Sequence, residues 1–387
     1  MSDNITPIFG DEPPKTSLKK QWIIFSVIVA LIVVLLVWFL LSGSTSLDGV
    51  KRFFRYLGTD EDAYQSISFD AYGNCSYALI DDSLAVATQG GLNVFSASSR
   101  NLQSIAGSLS NPLMDATDDL LLLYDIGGTR LILLEDDGDI RFDITTSGMI
   151  FDADLCEDGL CAVLYEGSDC CAVLDVYNSK GAKLYTHRSG STFLNTCALS
   201  PDGSYAIVTT LGQEDISFLS TGRILTTGSE GIKANVSFGT QVICDVAFLD
   251  DESICAVGEE SLFFFDVDGN LIKEYLGENA QLSGYCFGED FVLAVYDNYD
   301  LSLGFDLYCL DRKGEAIASA GKLPSAPQDL SISGSYICLM DAEQISIYDT
   351  DLALRHRLKN DGYVAVLVRD DGTALCIAVG RAELYIP

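Results

Sequence analysis

The stretch Ser200–Thr210 reads SPDGSYAIVTT, and its reading decides the fold. An apolar run, NTCALS (Asn195–Ser200), leads into it. Asp202-Gly203 then supplies the positive φ that a tight hairpin turn needs. YAIVTT follows as a second strand, too uniformly apolar to have a wet side, and ISFLS (Ile216–Ser220) reads as a third. The same pattern recurs along the chain. The second strands line up as SLAVATQ (Ser83–Gln89), LLLLYD (Leu120–Asp125), GLCAVLY (Gly159–Tyr165) and SYAIVTT (Ser204–Thr210). They continue as SICAVGEE (Ser253–Glu260), FVLAVYD (Phe291–Asp297), SYICLM (Ser335–Met340) and ALCIAVG (Ala374–Gly380). Eight copies at a period of about forty residues, with several strands in each, predict an all-β, eight-bladed β-propeller.

Within each copy the strands grade from buried to wet. Inner strands such as ICDVAFL (Ile243–Leu249) and VAVLV (Val364–Val368) precede the turn. Third strands such as RLILLE (Arg130–Glu135) and LFFFDV (Leu262–Val267) remain apolar. Outer strands such as NLIKEYLG (Asn270–Gly277) and LALRHRLK (Leu352–Lys359) are polar, as blade edges in water should be. The eighth copy stops at its third strand, AELYIP (Ala382–Pro387). VKRFFRYLG (Val50–Gly58) shares the Tyr-Leu-Gly ending of NLIKEYLG, and is expected to supply the missing strand and close the ring.

Trp22–Leu41 reads WIIFSVIVALIVVLLVWFLL, twenty residues without a charge. As a helix it would be roughly 30 Å long, the thickness of a bilayer core. Both tryptophans of the protein, Trp22 and Trp38, sit near its ends, where amphipathic rings favour the interface. The run is longer than the apolar region of a cleaved signal peptide, and bulky residues precede Ser42. The expected organisation is a disordered tail (1–21), a transmembrane helix (22–41), a short polar linker (42–49) and the propeller (50–387). Positive charges flank the helix equally: Lys15, Lys19 and Lys20 before it, Lys51, Arg52 and Arg55 after it. Lys19-Lys20 abut the helix directly, so the tail is expected in the cytoplasm and the propeller outside, at a single-pass cell-membrane location.

The formal charge is −33, and in residues 1–41 acids and lysines cancel, so the excess lies in the remainder. Such a surface repels phosphate backbones, which argues against nucleic-acid binding and favours a soluble, monomeric propeller. The twelve cysteines read mainly as buried free thiols. Cys161, Cys255, Cys338 and Cys376 fall at matching places in second strands of separate copies, too far apart to bridge. Cys156, Cys170 and Cys171, which flank turns, are the best candidates for any disulfide, and no CxxC pair suggests zinc. His187 and His356 fall in outer strands as exposed edge residues, without a Ser-His-Asp pattern.

Carboxylates are the one dense chemistry. Asp115, Asp152, Asp245 and Asp329 lie near the beginnings of four inner strands, which line the channel of a propeller. They can ring one mouth and bind Ca²⁺ or a cationic ligand, or each can serve a local turn. No other cofactor is implied. Asp266–Asn270 (DVDGN) has the beginning of a calcium loop without its later Glu, and reads as a hairpin turn.

The repeats with SPDGSYAIV (Ser200–Val208), joined to an N-terminal anchor, resemble an uncharacterised family of bacterial single-span, membrane-anchored β-propeller proteins. The turn is also similar to those of WD-type and TolB-type propellers, although the Gly-His and Trp-Asp pairs of WD repeats are missing. The resemblance implies a propeller on one span and brings no established activity. The leading functional expectation is a non-enzymatic module that binds another envelope protein or a wall polymer. The alternative is a polysaccharide-active hydrolase or lyase using the channel-mouth carboxylates. A sensor with a signalling tail ranks last, because the tail is short.

Overall fold

The computed structural model describes residue 26 and residues 66–71, 73–214, 217–229, 231–277, 280–300, 304–323 and 325–387. The chain divides into two compact units, Met1–Leu57 and Gly58–Pro387, and the architecture below is that of the second. Eight four-stranded antiparallel sheets follow one another as blades. Blade 3 is typical: inner strand Ile150–Leu155, then Cys161–Glu166, Ala172–Tyr177 and the outer strand Lys183–Ser189.

The gradient read from the sequence is the gradient of burial. Leu120–Asp125 and Ser83–Thr88 are buried at every position. The outer strand Leu271–Leu276 is exposed at Leu271, Ile272, Glu274 and Leu276. A second strand is apolar throughout because neighbouring blades cover both of its faces. Eight buried clusters result, one per blade interface; the cluster joining blades 2 and 3 holds Leu122, Leu133, Val163 and Val173. The SPDG turn forms as expected. Gly203 N–H donates to the Ser200 carbonyl at 2.8 Å, and Gly203 sits at φ +67°. Asp202 accepts from the Ser204 N–H at 2.9 Å and the Ser204 hydroxyl at 2.6 Å.

The ring closes through an N-terminal strand. The last sheet runs Ile67–Ser68, Arg381–Tyr385, Ala374–Ala378, Tyr363–Val368, with Ile67 opposite Ala382. Phe69 N–H reaches the Gly380 carbonyl at 3.0 Å. One cluster, with Ile67, Leu84, Val86, Phe95, Leu375 and Ile377, joins blade 8 to blade 1. Arg369 adds a bond to the Asp82 carbonyl at 3.0 Å. The edge position is thus filled from downstream of 50–58; that segment, like the tail, the linker and the apolar run apart from residue 26, lies outside the described residues. Among the described residues, no helix is long and apolar enough to cross a membrane.

Two further details differ from the sequence reading. The third strand of blade 4 is not Ile216–Ser220 but Ser217–Thr226, paired with an equally long Tyr205–Glu214. Gly222, which looks like a turn residue, is extended inside this strand, with the Phe238 ring 3.2 Å from where a Cβ would stand. All twelve cysteines are free. The four in second strands are buried but not in one register: Cys161 lies opposite Leu155, Cys255 opposite Ala247, Cys338 opposite Ser331 and Cys376 opposite Val366. Cys338 and Cys376 share the core between blades 7 and 8.

Candidate functional site: the channel and the two faces

The inner strands are parallel around the ring, and carboxylates on them tie blades 2, 3, 5 and 7 each to the next. Asp115 in Pro112–Ala116 accepts the Leu155 N–H at 2.8 Å, and Asp154 accepts the Leu199 N–H at 2.7 Å. Ser331 Oγ takes the same part toward the Val368 N–H at 3.0 Å. A second level is formed by Asp152, which accepts the Cys197 N–H at 2.9 Å and the Thr196 hydroxyl at 2.6 Å. Asp329 accepts the Val366 N–H at 2.7 Å on that level, and Asp245 accepts the Tyr285 hydroxyl at 3.1 Å. The four expected residues therefore occupy two levels, with Asp115 apart from the other three. Their bonds run mostly to the neighbouring blade.

Asp154 belongs with them and was missed. The alternation Asp152-Ala153-Asp154 was the available signal, since residues two apart in a strand share a side. Each acid is half-buried. Burial pushes Asp115 and Asp152 up to about 6, with the Asp245 charge adding to both. Asp154 is pushed well up by burial and by Asp115. Asp245 and Asp329 are raised by burial, opposed by the bonds they accept. No neighbouring charge contributes to the rise at Asp329, so the structure gathers Asp115, Asp152, Asp154 and Asp245 electrostatically and leaves Asp329 out.

Among the described residues, no three His, Cys, Asp or Glu are grouped so as to hold a metal ion. Asp266 spends its carboxylate on the N–H groups of Asp268 and Asn270, which closes a hairpin turn. His187 is half-buried rather than exposed, with its Nε2 buried and without a hydrogen-bond partner.

The connections divide the ring into two unlike faces. Turns from inner to second strand and from third to outer strand all lie on one face. They carry Asp118-Asp119, Asp136-Asp137, Glu157-Asp158, Asp250–Glu252 and Asp370-Asp371. Ser66 stands here too, its carbonyl bonded by the Ser99 hydroxyl at 3.4 Å, so the chain enters the ring from this acidic face. The opposite face, made by the other two kinds of connection, bears Phe193 (66% exposed), Phe218 (61%), Tyr299 (69%), Val379 (77%) and Met149 (46%). Among the described residues, the other large exposed apolar side chains lie along outer strands, beside these at the ends of strands on the same face, or at the C-terminal Ile386. The long hairpin of blade 4 projects from the apolar face. Past Leu211 and Ser220 it continues through Gly212–Leu219, Gln213–Phe218 and Glu214–Ser217 pairs, with no flanking strand, for about 10 Å.

A closed eight-bladed β-propeller with a carboxylate-latched channel and one apolar face is the class that this geometry defines. The chain belongs to a family of unknown function, DUF5711, whose model matches residues 59–380. Among solved structures it is similar to BamB from Moraxella catarrhalis, at 15% identity and a TM-score of 0.53, over 82% of this chain and 97% of that one. It is also similar to the C-terminal WD40 domain of Sif2, at 10% identity and a TM-score of 0.59, over 84% and 98%. At these identities the likeness is one of fold. A search of curated proteins gave no match.

Proposed function

We propose that this protein is a docking module of the cell envelope, held at the membrane by Trp22–Leu41, that binds a partner protein through its apolar face. The observation that carries the reading is the difference between the faces. Phe193, Phe218 and Tyr299 stabilise nothing in the ring where they stand, since each is more than three-fifths exposed. Exposed aromatic anchors on a rigid face are the usual core of a protein interface. The uncharged run of twenty residues supports the membrane location, with the propeller outside. The likeness to BamB and to a WD40 domain agrees with a scaffold in its fold alone.

A hydrolase or lyase acting on polysaccharide has one observation in its favour. Asp115 and Asp152 are held near 6, where a general acid works. Both are already engaged by N–H groups of the next blade, and that makes them seam residues first.

The test is co-purification from solubilised native membranes with full-length protein as bait. The wild type should retain a defined envelope protein that the Phe193→Ser/Phe218→Ser variant loses. Equal retention by both baits would remove the apolar face from the account.

A further inference from the structure

The third strands carry a polar residue at matching places in several blades. Inner Ala153, Cys197 and Val366 pair with Val163, Val208 and Cys376, and these pair in turn with Asp175, Arg223 and Glu383. Asp175 is fully buried and answered by its own blade: the Tyr165 hydroxyl at 2.7 Å, Thr186 Oγ1 at 2.6 Å and Lys183 Nζ at 2.5 Å. Glu383 is answered likewise, by the Tyr363 hydroxyl at 2.6 Å and Arg381 at 3.0 Å.

Arg223 reverses the charge at this place and has no such answer. Among the described residues it meets no carboxylate. Its guanidinium reaches two hydroxyl oxygens, Ser189 Oγ at 3.5 Å and Thr192 Oγ1 at 3.3 Å. Both contacts are long for a charged donor with five N–H groups. The side chain is half-buried in a protein of formal charge −33, where carboxylates are plentiful elsewhere.

His187 faces it across the interface. It pairs with Leu174, whose side chain belongs to the core between blades 3 and 4, and so turns toward blade 4. Arg223 pairs with Val208 of the same core and so turns toward blade 3. A cation without a carboxylate and a buried imidazole nitrogen without a partner therefore share one notch. An oxyanion meets both needs, because it accepts two parallel N–H bonds from a guanidinium and one from Nε2–H. Thr192, on the connection to the apolar face, is placed to rotate its hydroxyl toward the same ligand. We propose that this notch between blades 3 and 4 is a binding site for an oxyanion, a carboxylate or phosphate group, held by Arg223 and His187.

The chain has two histidines, so full-length protein labelled with ¹³C at the histidine Cε1 gives a small set of signals, which His356→Asn assigns. Sodium phosphate and sodium acetate are titrated separately, with chloride keeping ionic strength constant. The site predicts a saturating shift of the His187 signal with His356 unmoved. It also predicts a rise in the His187 pKa of about one unit, since a bound anion offsets the effect of Arg223. In the free protein, burial first and then the Arg223 charge hold that pKa down. The groups beside His187 are Arg223 from blade 4 and Tyr185 on its own strand; the Asp169-paired Arg188 and the Asp175 carboxylate lie on the other side of blade 3. Saturation by phosphate alone assigns a phosphate ligand, and by acetate a carboxylate. Arg223→Gln should abolish the response while the His356 signal reports an intact ring, and Thr192→Val should weaken it several-fold. No saturable His187 shift with either anion, or an undiminished shift in Arg223→Gln or, if that variant does not fold, in Thr192→Val, overturns the site.

Discussion

The two faces of this propeller are both built from connections between antiparallel strands, yet they differ in what those connections carry. On the acidic face several carboxylates have a structural task. Asp250 accepts the N–H groups of Glu252 and Ser253 at 2.8 and 2.6 Å and pairs with Arg312 at 3.0 Å. Asp202 organises the SPDG turn in the same way. On the apolar face Phe193, Phe218 and Tyr299 hold nothing in place, and exposed aromatics are costly in solubility. Acidity here serves turn construction at positions such as Asp202 and Asp250, whereas the apolar residues require a reason outside the chain.

That contrast can be broken most easily at its largest effect. Phe193→Ser/Phe218→Ser should reduce retention of the partner at least about tenfold, as expected for paired aromatic anchors. Stability in urea should stay within about 0.5 kcal/mol, because both side chains are exposed. A large loss of stability would mean that the apolar face serves folding after all.

Acid strength sharpens the comparison by separating the channel from the acidic turns. Asp115 and Asp152 have folded-state pKa values raised from 3.8 to about 6. Their contribution is therefore full below about 4 and is lost as pH rises through 6. The turn acids Asp202, Asp250 and Asp266 are held below the usual value by the bonds they accept. Their stabilisation is present above about 4 and is lost as pH falls further. Between pH 7.5 and 5 the channel should dominate, with Asp115 and Asp152 together raising stability by about 2–3 kcal/mol on acidification. Asp152→Asn should remove roughly half of that rise, and urea denaturation at the two pH values measures it. A stability that falls over this range would refute the seam electrostatics.

The smallest of these effects belongs to single turns. Asp250→Ala leaves two N–H groups without their acceptor and should cost about 1–2 kcal/mol. Partner retention should not change, and a matching loss of binding would move the interface toward the acidic face.

Most of the ring was legible because burial on both sides of a second strand leaves an unbroken apolar run, as in Leu120–Asp125. The closing strand was harder to find. Ile67–Ser68 is two residues long, too short for any periodicity, and its place is fixed by Ala382 and the blade 8–1 core. The long hairpin of blade 4 was obscured by Gly222, where the missing side chain makes room for Phe238 and marks no turn. The channel acids could be seen as residues on inner strands. Their two-level bonding to the next blade could not, because it depends on strand bulges such as those at Ile150/Asp152 and Ile243/Asp245. The apolar face was invisible for a different reason: Phe193 and Phe218 look like ordinary strand residues until the pairing shows that they have no neighbour to cover them.

The most direct test is site-specific photo-crosslinking in living cells, with the reactive residue placed either at Phe218 on the hairpin of the apolar face or at Asp137 on the acidic face. The account predicts a discrete adduct with one envelope protein from position 218 and none from position 137. The same adducts from both positions, or an adduct only from position 137, would contradict it.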